Sequence, residues 1–189
     1  MPRKTRRKRS RSTAPKTPAD IDPIATPRRV APGLGEESVW DYPRPPAVEG
    51  VEGLVEVWFE GVRIAASGRA VRVCETSHPP VIYVPLEDCL QEHLEAVPRK
   101  RTVCEYKGRA MYYDVVVGDR RSSEAAWRYA RPRLHFDDLK ERVAFYPQRV
   151  DRCVVDGEVV QPQAGDYYGG WVTRGLIGPF KGRPGTEGW

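Results

Sequence analysis

Between Met111 and Val117 the side chains alternate, with Met111, Tyr113, Val115 and Val117 on one side and Tyr112, Asp114 and Val116 on the other. A period of two carried by β-branched and aromatic residues is the pattern of a strand with one face turned to a core, and it commits the centre of the chain to a sheet. Immediately before it, Cys104, Glu105, Tyr106 and Lys107 place a thiol, a carboxylate, a phenol and an amine side by side, and Gly108 gives the backbone room to turn. No other short stretch joins so much chemistry to so strong a structural signal, yet no complete catalytic motif is present.

The neighbouring segments agree with a sheet protein. Leu54–Ser67 reads as two strands turning at Glu60-Gly61, Ala70–Glu75 as another, and Val81–Val84 as another after the Ser77–Pro80 loop. Asp156-Gly157 is the strongest hairpin signal, joining Arg149–Val155 to Glu158–Val160. Glu124–Tyr129 fits either a helical turn or a strand. Leu86–Val97 is the one helix candidate, because Leu90, Leu94 and Val97 fall at helical spacing and Pro98 bounds it. The fold class expected is mainly β, with small coiled antiparallel sheets or an open barrel and one short helix.

Charge divides the chain. Residues 1–29 hold 10 Lys/Arg and 2 Asp, whereas residues 30–189 hold 21 Lys/Arg and 24 Asp/Glu. The basic balance therefore belongs to a tail. Residues 1–18 cannot bury a core and are expected to be disordered, either an electrostatic arm making non-specific nucleic-acid contact or a solubilising tail. Residues 1–50 are read as tail and Pro-rich linker, with Trp40 and Tyr42 able to dock the linker. Residues 51–164 are read as the β-rich domain, and residues 165–189 as a Gly/aromatic tail packed on it through Trp171 and Trp189. Cys74, Cys89, Cys104 and Cys153 form no Cys-x-x-Cys pair, and no apolar run is long enough to span a membrane. No apolar segment follows the basic start, so a cytoplasmic protein with reduced thiols and no membrane partner is expected.

Candidate chemistry is distributed rather than local. Cys104 beside Lys107 could be an activated thiol if His78, His93 or His135 served as its base, or a packed cysteine. Gly175–Thr186 lacks the Gly-Lys-Ser/Thr of a phosphate loop, and the adjacent Asp137-Asp138 pair diverges too much to clamp a metal. No metal is expected, and no cofactor is specified. The strongest constellation is Glu75, Tyr83, Cys104, Tyr106, Lys107, Tyr113, Trp127 and Tyr146. If their segments pair, they build an aromatic-walled pocket with one amine and one carboxylate, suited to a small anionic molecule. The alternative is a structural Lys–Glu pair over an ordinary aromatic core.

Val62–Ser67, Cys74-Glu75-Thr76, Tyr83-Val84-Pro85, Thr102–Gly108, Tyr112-Tyr113, Trp127-Arg128-Tyr129, Val143–Tyr146, Arg149-Val150-Asp151 and Asp156-Gly157 together resemble the bacterial domain-of-unknown-function family 427, over roughly residues 55–160. The Gly169-Gly170-Trp171 and Gly178–Thr186 segments resemble an extension found on some members. The resemblance implies a small coiled-sheet fold similar to the Mss-four-like or β-tent class. Zinc-binding members of that class use Cys-x-x-Cys pairs, which this chain lacks. The family is labelled nucleotidyltransferase-like in some collections, so nucleotidyl transfer is one implied activity, although no residues here support it. A nucleic-acid-associated protein, or a protein-interaction module using the aromatic tail, is the other alternative.

Overall fold

The computed structural model describes residues 27–189; the reading of residues 1–18 as an arm lies outside the described residues. In chain order the strands are β1 (Glu37–Ser38), β2 (Ala47–Gly50), β3 (Val55–Phe59), β4 (Val62–Ser67), β5 (Val71–Cys74), β6 (Val81–Pro85), β7 (Leu94–Cys104) and β8 (Gly108–Val117). There follow β9 (Arg120–Arg128), β10 (Arg142–Phe145), β11 (Arg152–Val155), β12 (Glu158–Val159), β13 (Gln161–Pro162), β14 (Trp171–Val172) and β15 (Leu176–Ile177). They form a seven-stranded antiparallel sheet in the order β2-β5-β6-β10-β9-β8-β7 and a four-stranded antiparallel sheet in the order β12-β11-β3-β4. Two short pairs, β1 with β15 and β13 with β14, complete the fold, and no sheet closes into a barrel.

The tight turns follow from the backbone their residues accept. Glu60 and Gly61 have φ of 49° and 74°, and Asp156 and Gly157 have 47° and 79°. Positive φ at both central residues is the twist-matched two-residue hairpin, which aspartate and glycine tolerate at low strain. The β7–β8 hairpin instead uses the three residues Glu105, Tyr106 and Lys107, closed by Gly108 at φ 102°.

Leu86–Val97 is not a helix. Two single 3-10 turns, Leu86–Asp88 and Gln91–His93, run into β7, whose residues Leu94–Val97 pair with Tyr112–Val115. Leu90 is 40% exposed, so the helical spacing of Leu90, Leu94 and Val97 marks no buried stripe. Pro98 lies where the register shifts between Val97 and Arg101, a bulge where a missing N–H costs the ladder little. Glu124–Tyr129 is resolved in favour of strand, within and just past β9.

Alternation along the strands sends side chains to two cores. On one face Ile82 and Val84, Val115, Ala125, Val143 and Phe145 pack against Val55, Val57, Phe59, Ile64 and Cys153 of the smaller sheet. On the other, Val73, Tyr83, Ala110, Tyr112, Trp127, Tyr129, Ala144 and Tyr146 form an aromatic layer with Phe136 and Leu139 from the 3-10 segment Leu134–Leu139. Residues read as linker contribute β1 and β2, and Trp40 donates from Nε1 to the Pro179 carbonyl (2.8 Å) while its ring packs edge-on to Trp189. Residues 165–189 lie against the sheets: Trp171 is 1% exposed and donates from Nε1 to the Phe145 carbonyl at 3.1 Å. Among the described residues, no helix is long and apolar enough to cross a membrane.

Candidate functional site

The aromatic face of the large sheet is not filled. A cavity of about 550 Å³ opens there, within the range of small-molecule sites. Strand alternation puts Tyr83 of β6, Tyr112 of β8, and Trp127 and Tyr129 of β9 and its end on one wall, with Tyr146 just past β10. The Trp127 and Tyr146 rings are 4.3 Å apart, and Trp127 donates from Nε1 to the Tyr83 hydroxyl at 3.3 Å. Burial pushes the Tyr83, Tyr129 and Tyr146 hydroxyls above the ordinary phenol value, so these three stay protonated.

The β7–β8 turn supplies the charged rim. Lys107 reaches from it to Glu75, just past β5, with Nζ 3.7 Å from Oε2, and its amine lies 6.0 Å from the centre of the Phe136 ring. Arg44 approaches the same carboxylate at 3.7 Å. Lys181 also lines the cavity, its Nζ donating to the Trp189 carbonyl at 2.8 Å; burial first, and then the like charge of Arg44, hold its amine below the ordinary lysine value. His78 borders the cavity, with Nδ1–H donating to the Thr76 carbonyl at 3.0 Å and its ring edge-on to Tyr168 at 4.8 Å. Burial lowers its imidazole below the usual histidine value. Elsewhere on the lining, Glu124 is paired with Lys100 at 3.2 Å and approached by Arg149 at 3.7 Å, while Glu105 and Asp166 are exposed.

The C-terminal segment covers part of this opening. A Cβ on Gly169 would stand 2.3 Å from Trp127 Cη2, so only a glycine lets the backbone approach the indole this closely. Gln163, 3% exposed, holds the segment by donating from Nε2 to the Lys181 carbonyl (2.8 Å) and accepting at Oε1 from the Gly170 N–H (3.2 Å). Tyr167 and Tyr168 add two further aromatic rings to the lining.

Of the residues singled out in the sequence, Glu75, Tyr83, Cys104, Tyr106, Lys107, Trp127 and Tyr146 border this one cavity. Tyr113 does not. It points to the opposite face and packs against the first core, and its neighbour Tyr112 takes the place on the cavity wall. Tyr129 was readable from its two-residue spacing to Trp127 once β9 is a strand; Tyr167, Tyr168 and Lys181 carry no local signal that places them there. His93 is engaged with the Val116 carbonyl and His135 is exposed, so His78 is the histidine nearest the role of a base beside Cys104. Within Gly175–Thr186, the Gly182 N–H donates to Thr186 Oγ1 and the Lys181 N–H to the Ser77 carbonyl, which ties this stretch to the protein. Asp137 and Asp138 are exposed and outside the lining. Among the described residues, no three His, Cys, Asp or Glu side chains converge as a metal cage.

No curated protein matches the chain. The family model described as a domain of unknown function, DUF427, matches residues 47–156. That span runs from β2 to the β11–β12 turn and carries both the aromatic wall and the Lys107–Glu75 pair, leaving Arg44 and the Gln163–Lys181 cover outside it. With more than half of its length matched, including the sheet that builds the cavity, the chain belongs to the DUF427 family.

Proposed function

We infer that the cavity binds a small organic anion with a flat apolar portion. One observation carries this reading: Lys107 and Arg44 share the carboxylate of Glu75 at the rim of an aromatic-walled cavity that Lys181 also lines. Both ion pairs to Glu75 are 3.7 Å long, well beyond the roughly 2.7–2.9 Å of a tight charge-assisted hydrogen bond. One carboxylate held so loosely leaves Lys107, whose Nζ meets no other polar group among the described residues, able to accept a second, ligand-borne anion. Glu75 then orients Lys107, and it is the group placed to exchange a proton with the ligand. Tyr83, Tyr106 and Trp127 supply apolar ring faces, while Cys104 adds a thiol. No further observation favours nucleotidyl transfer over simple binding.

The test is calorimetric titration of the full chain with flat carboxylic acids such as cinnamate, alongside Lys107→Met. Binding that weakens with added salt, and about tenfold or more on Lys107→Met, is the expected result, since a hydrogen bond to a charged group contributes about 1.5–3 kcal/mol. Affinity indifferent to both changes would sink the anionic reading.

A further inference from the structure

One part of the cavity wall presents hydroxyls rather than charges. Tyr83, Tyr112, Tyr129, Tyr146 and Cys104 all line it, with the Tyr83 and Tyr129 rings 6.4 Å apart. Tyr112 is satisfied by Thr102, with its hydroxyl 2.8 Å from Oγ1, and Tyr146 donates over a longer 3.4 Å to the Tyr167 carbonyl. The other two are incomplete. Tyr83, 1% exposed, accepts from Trp127 but donates its own proton to no group among the described residues. Tyr129, 5% exposed, has no hydrogen-bond partner at all among them, although it borders the cavity. Neither hydroxyl is among the sealed-off polar atoms left without a partner, and both residues line the cavity, so an acceptor bound there is the partner available to each phenol proton. Two unspent phenol protons on one wall therefore describe the complement of an oxygen acceptor.

We propose that the molecule taken by this cavity is an aromatic acid bearing an uncharged oxygen, a hydroxyl or carbonyl, that accepts from Tyr129 and Tyr83 while its acid group meets Lys107. This rests on the anionic reading of the rim and adds the ligand's second recognition point. The flat aromatic body follows from the walls, where Trp127, Tyr83 and Tyr146 offer ring faces and edges and Val73 and Val81 complete an apolar lining. An uncharged acceptor suits the distal wall because its phenols are donors that burial keeps protonated.

Three probes separate the two recognition points: 4-hydroxycinnamate, cinnamate, and neutral 4-methylphenol, each titrated into the full chain by calorimetry. We expect 4-hydroxycinnamate to bind about tenfold more tightly than cinnamate, the worth of one well-placed neutral hydrogen bond. Tyr129→Phe, which keeps the ring but strips a hydroxyl that no group among the described residues uses, should remove most of that preference. Equal affinity for the two acids in the native chain, or a preference that survives both Tyr129→Phe and Tyr83→Phe, overturns the distal oxygen site. Cinnamate binding lost on Lys107→Met would in that case leave the anionic rim standing. Binding of 4-methylphenol with neither acid bound overturns the acid half, and failure of all three at millimolar concentration overturns both.

Discussion

The two faces of the seven-stranded sheet are built by the same strands and finish differently. On β6, Ile82 and Val84 pack into a closed core while Tyr83 between them faces a hollow; on β10, Val143 and Phe145 face one way and Ala144 the other. The closed face is covered by a second sheet whose Val, Ile and Phe side chains carry no polar atoms and interdigitate to exclusion of water. The open face carries phenols, an indole and small alanines, and is covered by a 3-10 segment and an irregular C-terminal strap. Rigid rings with polar tips leave gaps that aliphatic chains would fill, and each tip needs a partner. Aliphatic packing fills the closed face; aromatic packing under an incomplete cover leaves a cavity.

Stability measurements should separate the faces most sharply at Phe145. Phe145→Ala empties a fully enclosed site and should cost about 3–5 kcal/mol by denaturant unfolding; a loss under about 1 kcal/mol would mean the closed face is not close-packed. At the cover, Gly169→Ala forces a methyl group into Trp127 and should cost about 1–3 kcal/mol, with altered tryptophan fluorescence. An unchanged melting temperature there would show that the strap does not rest on the indole.

A smaller effect is expected from pH. Burial depresses the folded His78 value below the roughly 6.5 of the unfolded chain, so between the two values the unfolded state binds more protons. The contribution is fully present above about pH 6.5 and is lost as pH falls through the folded value. His78→Gln should therefore flatten the fall in melting temperature between neutral and mildly acidic solution, and an identical fall in both proteins would contradict it. The mildest perturbation is chemical. Cys74, Cys89 and Cys153 are buried, the first two with thiols pushed up to about 12, whereas Cys104 is half-buried on the cavity wall. Iodoacetamide should add one group to the native chain, at Cys104, with stability changed by no more than about 0.5 kcal/mol. Rapid modification of several cysteines under native conditions would erase the distinction between the faces.

Features set by a few adjacent residues were legible in the sequence. Asp156-Gly157 and Glu60-Gly61 make tight turns because their own φ preferences require it, and the alternation of Tyr113, Val115 and Val117 shows which side chains share the first core. The mainly β class follows from summing such local signals. Other features depend on partners far along the chain. Leu94–Val97 is a strand because β8 supplies its hydrogen bonds, an energy invisible in a short window whose apolar spacing suits a helix. Tyr112 rather than Tyr113 reaches the cavity because the sheet is buried on both faces, and a pattern of period two separates the faces without saying what lies over each. Lys181 lines the same cavity as Lys107 and Glu75 only because Trp171 is buried and Gly169 lets the backbone onto Trp127. Turn geometry is a property of neighbouring residues; a cavity is a property of surfaces brought together, and only the tertiary structure decides which surfaces meet.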